Sequence, residues 1–195
     1  MATTGTNNRA LIAGEQRART LDAILKQFPN PAFRRLTYFY LAHSKDGEPP
    51  CIGDIDLMEI YKIADRLVLI DLEGDVAGKH RFKWRLAGTA LRQIVGLELT
   101  GQYLDDVAEE KTANEAGRIY CQVLTNGAPH AWRHKVMIQA MNRNYVQYDR
   151  LLLPLADEEG HLRHLIGVYS YGDSDILDQV DDINEEEIRS LGMEN

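Results

Sequence analysis

The side chains able to do chemistry in this chain are few, and their spacing is poor for it. His130 and His134 share one face of an alternating segment, but four residues of extended chain separate them by roughly 13 Å, too far to hold one ion. His161 and His164, three apart in a second alternating segment, point to opposite faces. Neither an H-E-x-x-H pair nor a carboxylate cluster accompanies them, so no metal site is predicted. Gly96 and Gly101 have the spacing of a phosphate loop, but Gln102 stands where such a loop requires lysine. Gly-x-Ser-x-Gly is absent, and linear spacing shows no Cys–His pair with an orienting acid. The two cysteines, Cys51 and Cys121, form no CxxC. That indicates neither a disulfide framework nor a zinc site, and it suits a reducing compartment. Catalysis is not what these residues argue for. The enzymatic alternative is His134 acting as a base, which needs a carboxylate beside it that spacing cannot supply.

Charge narrows the partners. Of the 30 acids and 22 bases, nine acids and one base fall in residues 172–195, leaving 21 of each in the rest of the chain. The body is balanced and the tail carries the whole net charge of −8. Such a distribution excludes a general attraction to nucleic acid or to an anionic membrane. The tail reads either as a solvated end or as a helix, since Ile176, Leu177, Val180, Ile183, Ile188 and Leu191 recur at near-helical spacing. No run reaches the ~18–20 apolar residues of a membrane span, and the N-terminus lacks the apolar core of a secretory signal. A cytoplasmic protein is expected.

The elements that must position any site follow from periodicity. Residues 1–13 carry no clear pattern and are expected to be mobile. From Glu15 to Phe28, Leu21, Ile24, Leu25 and Phe28 fall at helical spacing. Pro29 ends that helix, and Asn30-Pro31 starts another as cap and first-turn proline. Phe33, Leu36, Thr37, Tyr40 and Leu41 line one side of the second helix, which stops before Lys45-Asp46-Gly47. These two helices either cover the domain or form a dimer interface. Asp56-Leu57-Met58-Glu59 has the form of a capping box and opens a short helix to about Ala64. Arg66–Leu72 and His80–Leu86 read as strands around a glycine-containing turn. The second of these alternates Phe82, Trp84 and Leu86 on one face with Arg81, Lys83 and Arg85 on the other. It breaks at Ala87-Gly88-Thr89, gives a helical turn, and breaks again at Gly96 and Gly101. A short turn of helix at Gln102–Ala108 and a longer helix at Glu110–Thr125 follow. Three strands close the pattern, His130–Ile138, Tyr145–Leu155 and His161–Tyr171, joined closely enough for an antiparallel meander.

Phe82, Arg85, Leu86-Ala87-Gly88-Thr89, Gly96 and Glu98-Leu99-Thr100-Gly101 closely resemble the motifs of a single-PAS family known mainly from alphaproteobacteria. Pro50, Asp54-Ile55-Asp56 upstream is similar to that family's helix entry, with Leu57 where its last proline is expected. Leu151–Leu155 and Leu165-Ile166-Gly167 resemble its fourth and fifth strands. The resemblance spans roughly residues 30–171. It implies an α+β PAS fold: a five-stranded antiparallel sheet with helices on one face, plus an N-terminal helical extension. The expected division is 1–46 as that extension, 47–171 as the PAS domain and 172–195 as the acidic tail. It also implies a bacterial, non-catalytic module of signal transduction, a sensor or interaction domain that dimerises and holds a small ligand between helices and sheet.

The cofactor is unknown. Flavin photoreceptor PAS domains carry a reactive cysteine after the second strand, and Leu97–Leu104 has none, which argues against covalent flavin. Haem-binding PAS domains offer a histidine on the long helix, and Glu110–Thr125 has none, so haem is not supported. Alternation nominates a lining instead: Trp84 and Leu86, Trp132 and His134, Tyr148 and Leu152, and Leu165 and Tyr169 on successive strands, with Tyr120 and Leu124 facing them from the long helix. The competing reading is that these large side chains simply fill a close-packed core. A homodimer through residues 15–43 and a signalling protein partner complete the expectation.

Overall fold

The two short apolar runs either side of the Gly74–Gly78 turn pair as a hairpin, β1 (Leu67–Gly74) with β2 (His80–Ala87). Three later strands, β3 (His130–Ile138), β4 (Arg143–Ala156) and β5 (Leu162–Tyr171), form the meander, and β5 returns to lie against β1. The result is one antiparallel five-stranded sheet of order β2-β1-β5-β4-β3, the architecture expected from the sequence. The computed structural model describes residues 3–138 and 143–171, with residues 3–10, 94, 134–138 and 143–147 described as backbone only. The acidic segment 172–195, including the helix predicted there, lies outside the described residues.

The sheet is covered on both sides, which explains why β1, β4 and β5 are buried at odd and even positions alike. On the inner face, Val68, Ile70, Leu72, Phe82, Trp84, Leu152, Leu165 and Tyr169 pack under α3 (Thr89–Val95), α4 (Leu104–Val107) and α5 (Glu110–Asn126). On the outer face, Leu67, Leu69, Leu151, Leu153, Leu155, Ile166 and Val168 pack against α1 (Thr3–Gln27), α2 (Pro31–His43) and the 3-10 helix Leu57–Arg66. The alternation of each strand thus feeds two separate apolar layers.

Local chemistry sets the N-terminal part. Asn30 caps α2 as predicted, its Oδ1 accepting from Ala32 N at 2.8 Å and Phe33 N at 3.3 Å. Its Nδ2 donates to Ser170 Oγ at 2.7 Å, fixing the start of α2 to the end of β5. Phe33, Leu36, Phe39 and Tyr40 are then buried against the sheet, so the apolar stripe of α2 covers the domain. Residues 1–13 carry no clear pattern in the sequence, yet α1 begins at Thr3. The N-terminal turns extend a helix whose packed part starts later, so no apolar period betrays them. Asp56 accepts from Met58 N at 2.9 Å, yet the reciprocal half of the capping box is not made. Glu59 turns instead towards His43, 3.4 Å away. The segment it starts is a 3-10 helix broken at Ile60 and running to Arg66, which moves the start of β1 to Leu67.

Candidate ligand-binding site

The corner after β2 shows why its motif has the residues it has. Gly88 N donates to Leu67 O at 2.8 Å, and a Cβ there would run into the Asp65 carbonyl, so only glycine permits the approach. Thr100 Oγ1 accepts from Ala87 N at 3.1 Å. Gly101 N donates to Trp84 O at 2.7 Å, and Trp84 N donates to Gln102 O at 2.9 Å. The Glu98–Gly101 stretch is in this way hydrogen-bonded along the free edge of β2. Beyond it, Tyr103 donates to Glu73 at 2.8 Å beneath the Arg81 guanidinium, which lies 3.9 Å from the ring centre. Arg81 in turn bridges Asp105 and Asp106 of α4 at 2.8 and 2.6 Å. These contacts fix the rim of the inner face.

Of the predicted lining, Trp84, Tyr120, Leu124, Leu152 and Tyr169 lie buried in the inner cluster, with Trp132 and Tyr148 half-buried at its border. Leu86 does not join them. It packs on the outer face, because Leu69 pairs with Leu86 while Ile70 pairs with Trp84. Arg85 is the extra residue of a β-bulge, and one added residue sends everything after it to the other face. His134 lies on β3 opposite Tyr148, and its side chain is outside the described residues.

The residue that alternation should have nominated is Arg150. It stands between Tyr148 and Leu152 in β4, pairs with Trp132 on β3 and Tyr169 on β5, and is only 3% exposed. Its guanidinium lies 5.6 Å from the ring centres of Tyr120 and Trp132 and 5.9 Å from that of Tyr169. Burial works against its charge, but the hydroxyls of Tyr169, Tyr120 and Tyr148 more than offset this and hold its pKa above the ordinary arginine range. Burial pushes Tyr148 up to about 12 and Tyr120 well above its usual value. At neutral pH the Tyr120 and Tyr148 hydroxyls are therefore protonated and face the cation as dipoles without cancelling its charge. Nε and Nη2 of Arg150, like the indole nitrogen of Trp84 and Nδ1 of His130, are buried without a hydrogen-bond partner. Burial first, then repulsion from Arg150 and Arg118, lowers the pKa of His130 and keeps it neutral.

A cleft of about 480 Å³ opens between α5 and β2, lined among others by His80, Phe82, Gly117 and Cys121. Here the fold builds a Cys–His pair that linear spacing could not show, Cys121 Sγ lying 3.3 Å from His80 Nε2 across 41 residues of sequence. His80 Nδ1 faces the carbonyls of Gly78 at 2.9 Å and Asp75 at 3.2 Å, so it carries the proton and leaves Nε2 to accept from the thiol. Burial raises the thiol pKa, which makes Cys121 a protonated donor rather than a thiolate nucleophile. His161 does meet two carboxylates, Asp157 at 3.7 Å and Glu159 at 3.4 Å. Asp157 Oδ1 is already accepting from Glu159 N and His161 N at 3.0 and 2.8 Å, so it builds the β4–β5 turn.

Comparison with solved structures finds distant similarities. The light-state LOV domain of the blue-light photoreceptor Aureochrome1 superposes with a TM-score of 0.41 at 15% identity, over 66% of this chain and 96% of that one. A PAS domain from Colwellia psychrerythraea gives 0.42 at 12% identity, over 60% and 96%. The LOV domain of the blue-light activated histidine kinase EL346 from Erythrobacter litoralis gives 0.39 at 16%, over 54% and 94%. No curated protein matches the sequence. Residues 34–170, well over half of the chain, match the family described as PAS domain, and with the hairpin, helical crossover and meander in that order, the chain belongs to the PAS domain family.

Proposed function

We propose that this chain is a non-catalytic PAS sensory module of the single-PAS type known mainly from alphaproteobacteria. It works in the bacterial cytoplasm through ligand-modulated association with a second copy of itself and with a signalling partner. Residues 1–46 are its output extension, 47–171 its sensory domain and 172–195 an acidic tail. The observation that carries this reading is Arg17 of α1. Only 8% exposed, it donates from Nε to Gly127 O at 2.8 Å and from Nη1 to Gly47 O at 2.7 Å. Gly127 is the C-cap of α5, the helix whose Tyr120 and Leu124 lean on the inner face. Any ligand that shifts α5 must therefore move the anchor of α1, and a differential interaction with two α5 positions becomes a different presentation of α1.

The dimer contact belongs further towards the N-terminus than residues 15–43, whose apolar faces already cover the sheet. Leu11 and Ile12 are 49% and 58% exposed on α1 and offer the apolar surface for a helix–helix pairing. Light scattering on the full chain tests this. A dimer is expected, with Leu11→Glu/Ile12→Glu monomeric and equally stable; a monomeric wild type, or a variant still dimeric, overturns it.

A second reading, capture of a small molecule as the role itself, is favoured by the unpartnered donors of Arg150. It differs in one outcome, since ligand would then bind without altering the oligomeric state.

A further inference from the structure

The inner face contains a fixed positive charge, and no anion is supplied to it among the described residues. Among the described residues no carboxylate pairs with Arg150, and its rings give it only quadrupoles and phenolic dipoles. Leaving a buried charge in that condition is costly, and native proteins either pair such groups or use them. The two unpartnered nitrogens, Nε and Nη2, carry the parallel N–H groups of the guanidinium edge that grips a carboxylate through two bonds. The same sheet shows this edge in use. Arg133, on the neighbouring strand, donates from Nε and Nη2 to the two oxygens of Asp149 at 2.7 and 2.8 Å. Arg133 and Asp149 face outward, one residue out of step with Trp132 and Arg150, so the two arginines present the same fork to opposite sides of the sheet.

We propose that Arg150 is the anchor of a ligand site for a small organic carboxylate with a flat apolar body. The carboxylate takes the Nε/Nη2 edge, and the body lies against the rings of Tyr120, Trp132 and Tyr169. A flat body fits because three aromatic side chains surround the guanidinium and one of them, Tyr120, comes from the mobile partner in the proposed response, α5. Tyr169 OH and the neutral His130 offer secondary polar contacts. The site is closed in this conformation, with Nε and Nη2 inaccessible to solvent, so entry requires α5 to lift from the sheet. Binding and displacement of α5 are then one event. This deepens the proposed sensory reading and rests on it for its consequence, though not for the binding itself.

The probes are benzoate and indole-3-acetate at millimolar concentration and constant ionic strength, with benzamide as the uncharged isostere. Trp132 serves as the reporter in a Trp84→Phe background, since Trp84 and Trp132 are the only two tryptophans. Benzoate or indole-3-acetate should change Trp132 emission saturably and raise Tm by about 2–4 °C or more, while benzamide does neither. Arg150→Met should remain folded, with Tm at or above that of the wild type, and lose the response. Arg150→Lys, which keeps the charge without the fork, should weaken binding about tenfold or more. Indifference of the wild type to both carboxylates overturns the site, as does a response that survives in Arg150→Met. The acids just after Tyr171 are another source of the same chemistry. Asp173→Asn/Asp175→Asn should bind benzoate with wild-type affinity or weaker than twofold tighter, and a large gain in affinity would assign the fork to the chain's own tail. Native mass spectrometry of the freshly purified protein separates the two levels of the argument. A retained uncharged compound would remove Arg150 as the anchor and leave the sensory reading standing. Carboxylate binding without any change in oligomeric state would do the reverse.

Discussion

Asp71 shows how one side chain on the outer face converts pH into stability. It accepts from Arg85 Nε and from His164 Nδ1, each at 2.8 Å, and its side chain is 18% exposed. Burial alone would raise its pKa, but the hydrogen bonds from His164 and Arg85 outweigh it and hold the carboxyl below its ordinary value. The unfolded chain therefore takes up this proton first on acidification. The contribution is complete above about pH 4, the unfolded carboxyl value, and is lost as pH falls through the lower folded value. Asp71→Asn is expected to cost about 1 kcal/mol at neutral pH and to flatten the acid limb of a Tm-versus-pH curve. Exposed carboxyls such as Asp54 and Asp105 are lowered too, by the lysine or arginine that bonds them. Their share fades at roughly 1 M salt, where the Debye length is ~3 Å, while the half-buried Asp71 keeps more of its own. At the residue scale the sequence is least legible. Size and aromatic character single out Tyr148 and Leu152 and not Arg150 between them, although the alternation assigns all three to one face.

Among the elements, α1 depends on two details at its middle. Gly14 is an interior helical glycine, a choice that costs about 1 kcal/mol relative to alanine. Its reason is contact: a Cβ there would strike the Gly47 backbone. Three residues on, Arg17 ties the helix to Gly47 and Gly127. Arg17→Ala removes two charge-assisted hydrogen bonds to carbonyls and should cost about 1.5–3 kcal/mol. Gly14→Ala should free the same half of the helix by pushing it off the loop. In both variants, amide exchange in α1 is expected to accelerate while β4 and β5 stay protected; equal acceleration throughout would mean that α1 does not open separately. Element types were legible wherever period and punctuation agreed, as at Asn30-Pro31 for α2 and at His130–Ile138 for β3. The bulge at Arg85 was not, since an extra residue leaves the apolar alternation of the segment intact and shows itself only in the pairing with β1. Nor was the Cys121–His80 contact, which no local pattern encodes.

For the molecule as a whole, the two-sided sheet decides what can be removed. Phe33, Leu36, Phe39 and Tyr40 of α2 are each worth ~1.5–3 kcal/mol of burial. They also shield Leu69, Leu151, Leu153, Leu155, Ile166 and Val168. A chain starting at Gly47 is expected to aggregate or to lose its near-ultraviolet circular dichroism, because it would present that layer to water as one apolar patch. Size-exclusion chromatography of the truncated chain checks this, and a well-behaved monomer would show that the helices are dispensable. The sequence identified the helices and left open whether they cover the domain or a second copy. Both faces of the sheet are apolar, and nothing in one chain's periodicity says which partner covers the second.

β2 crosses from one apolar layer to the other at its bulge, with Phe82 and Trp84 rooted in the inner core and Leu86 in the outer. A single strand is thereby stitched into both halves, and loosening either half pulls on the same thread. Heat should melt this two-cored protein in a single cooperative step, its calorimetric and van't Hoff enthalpies coinciding.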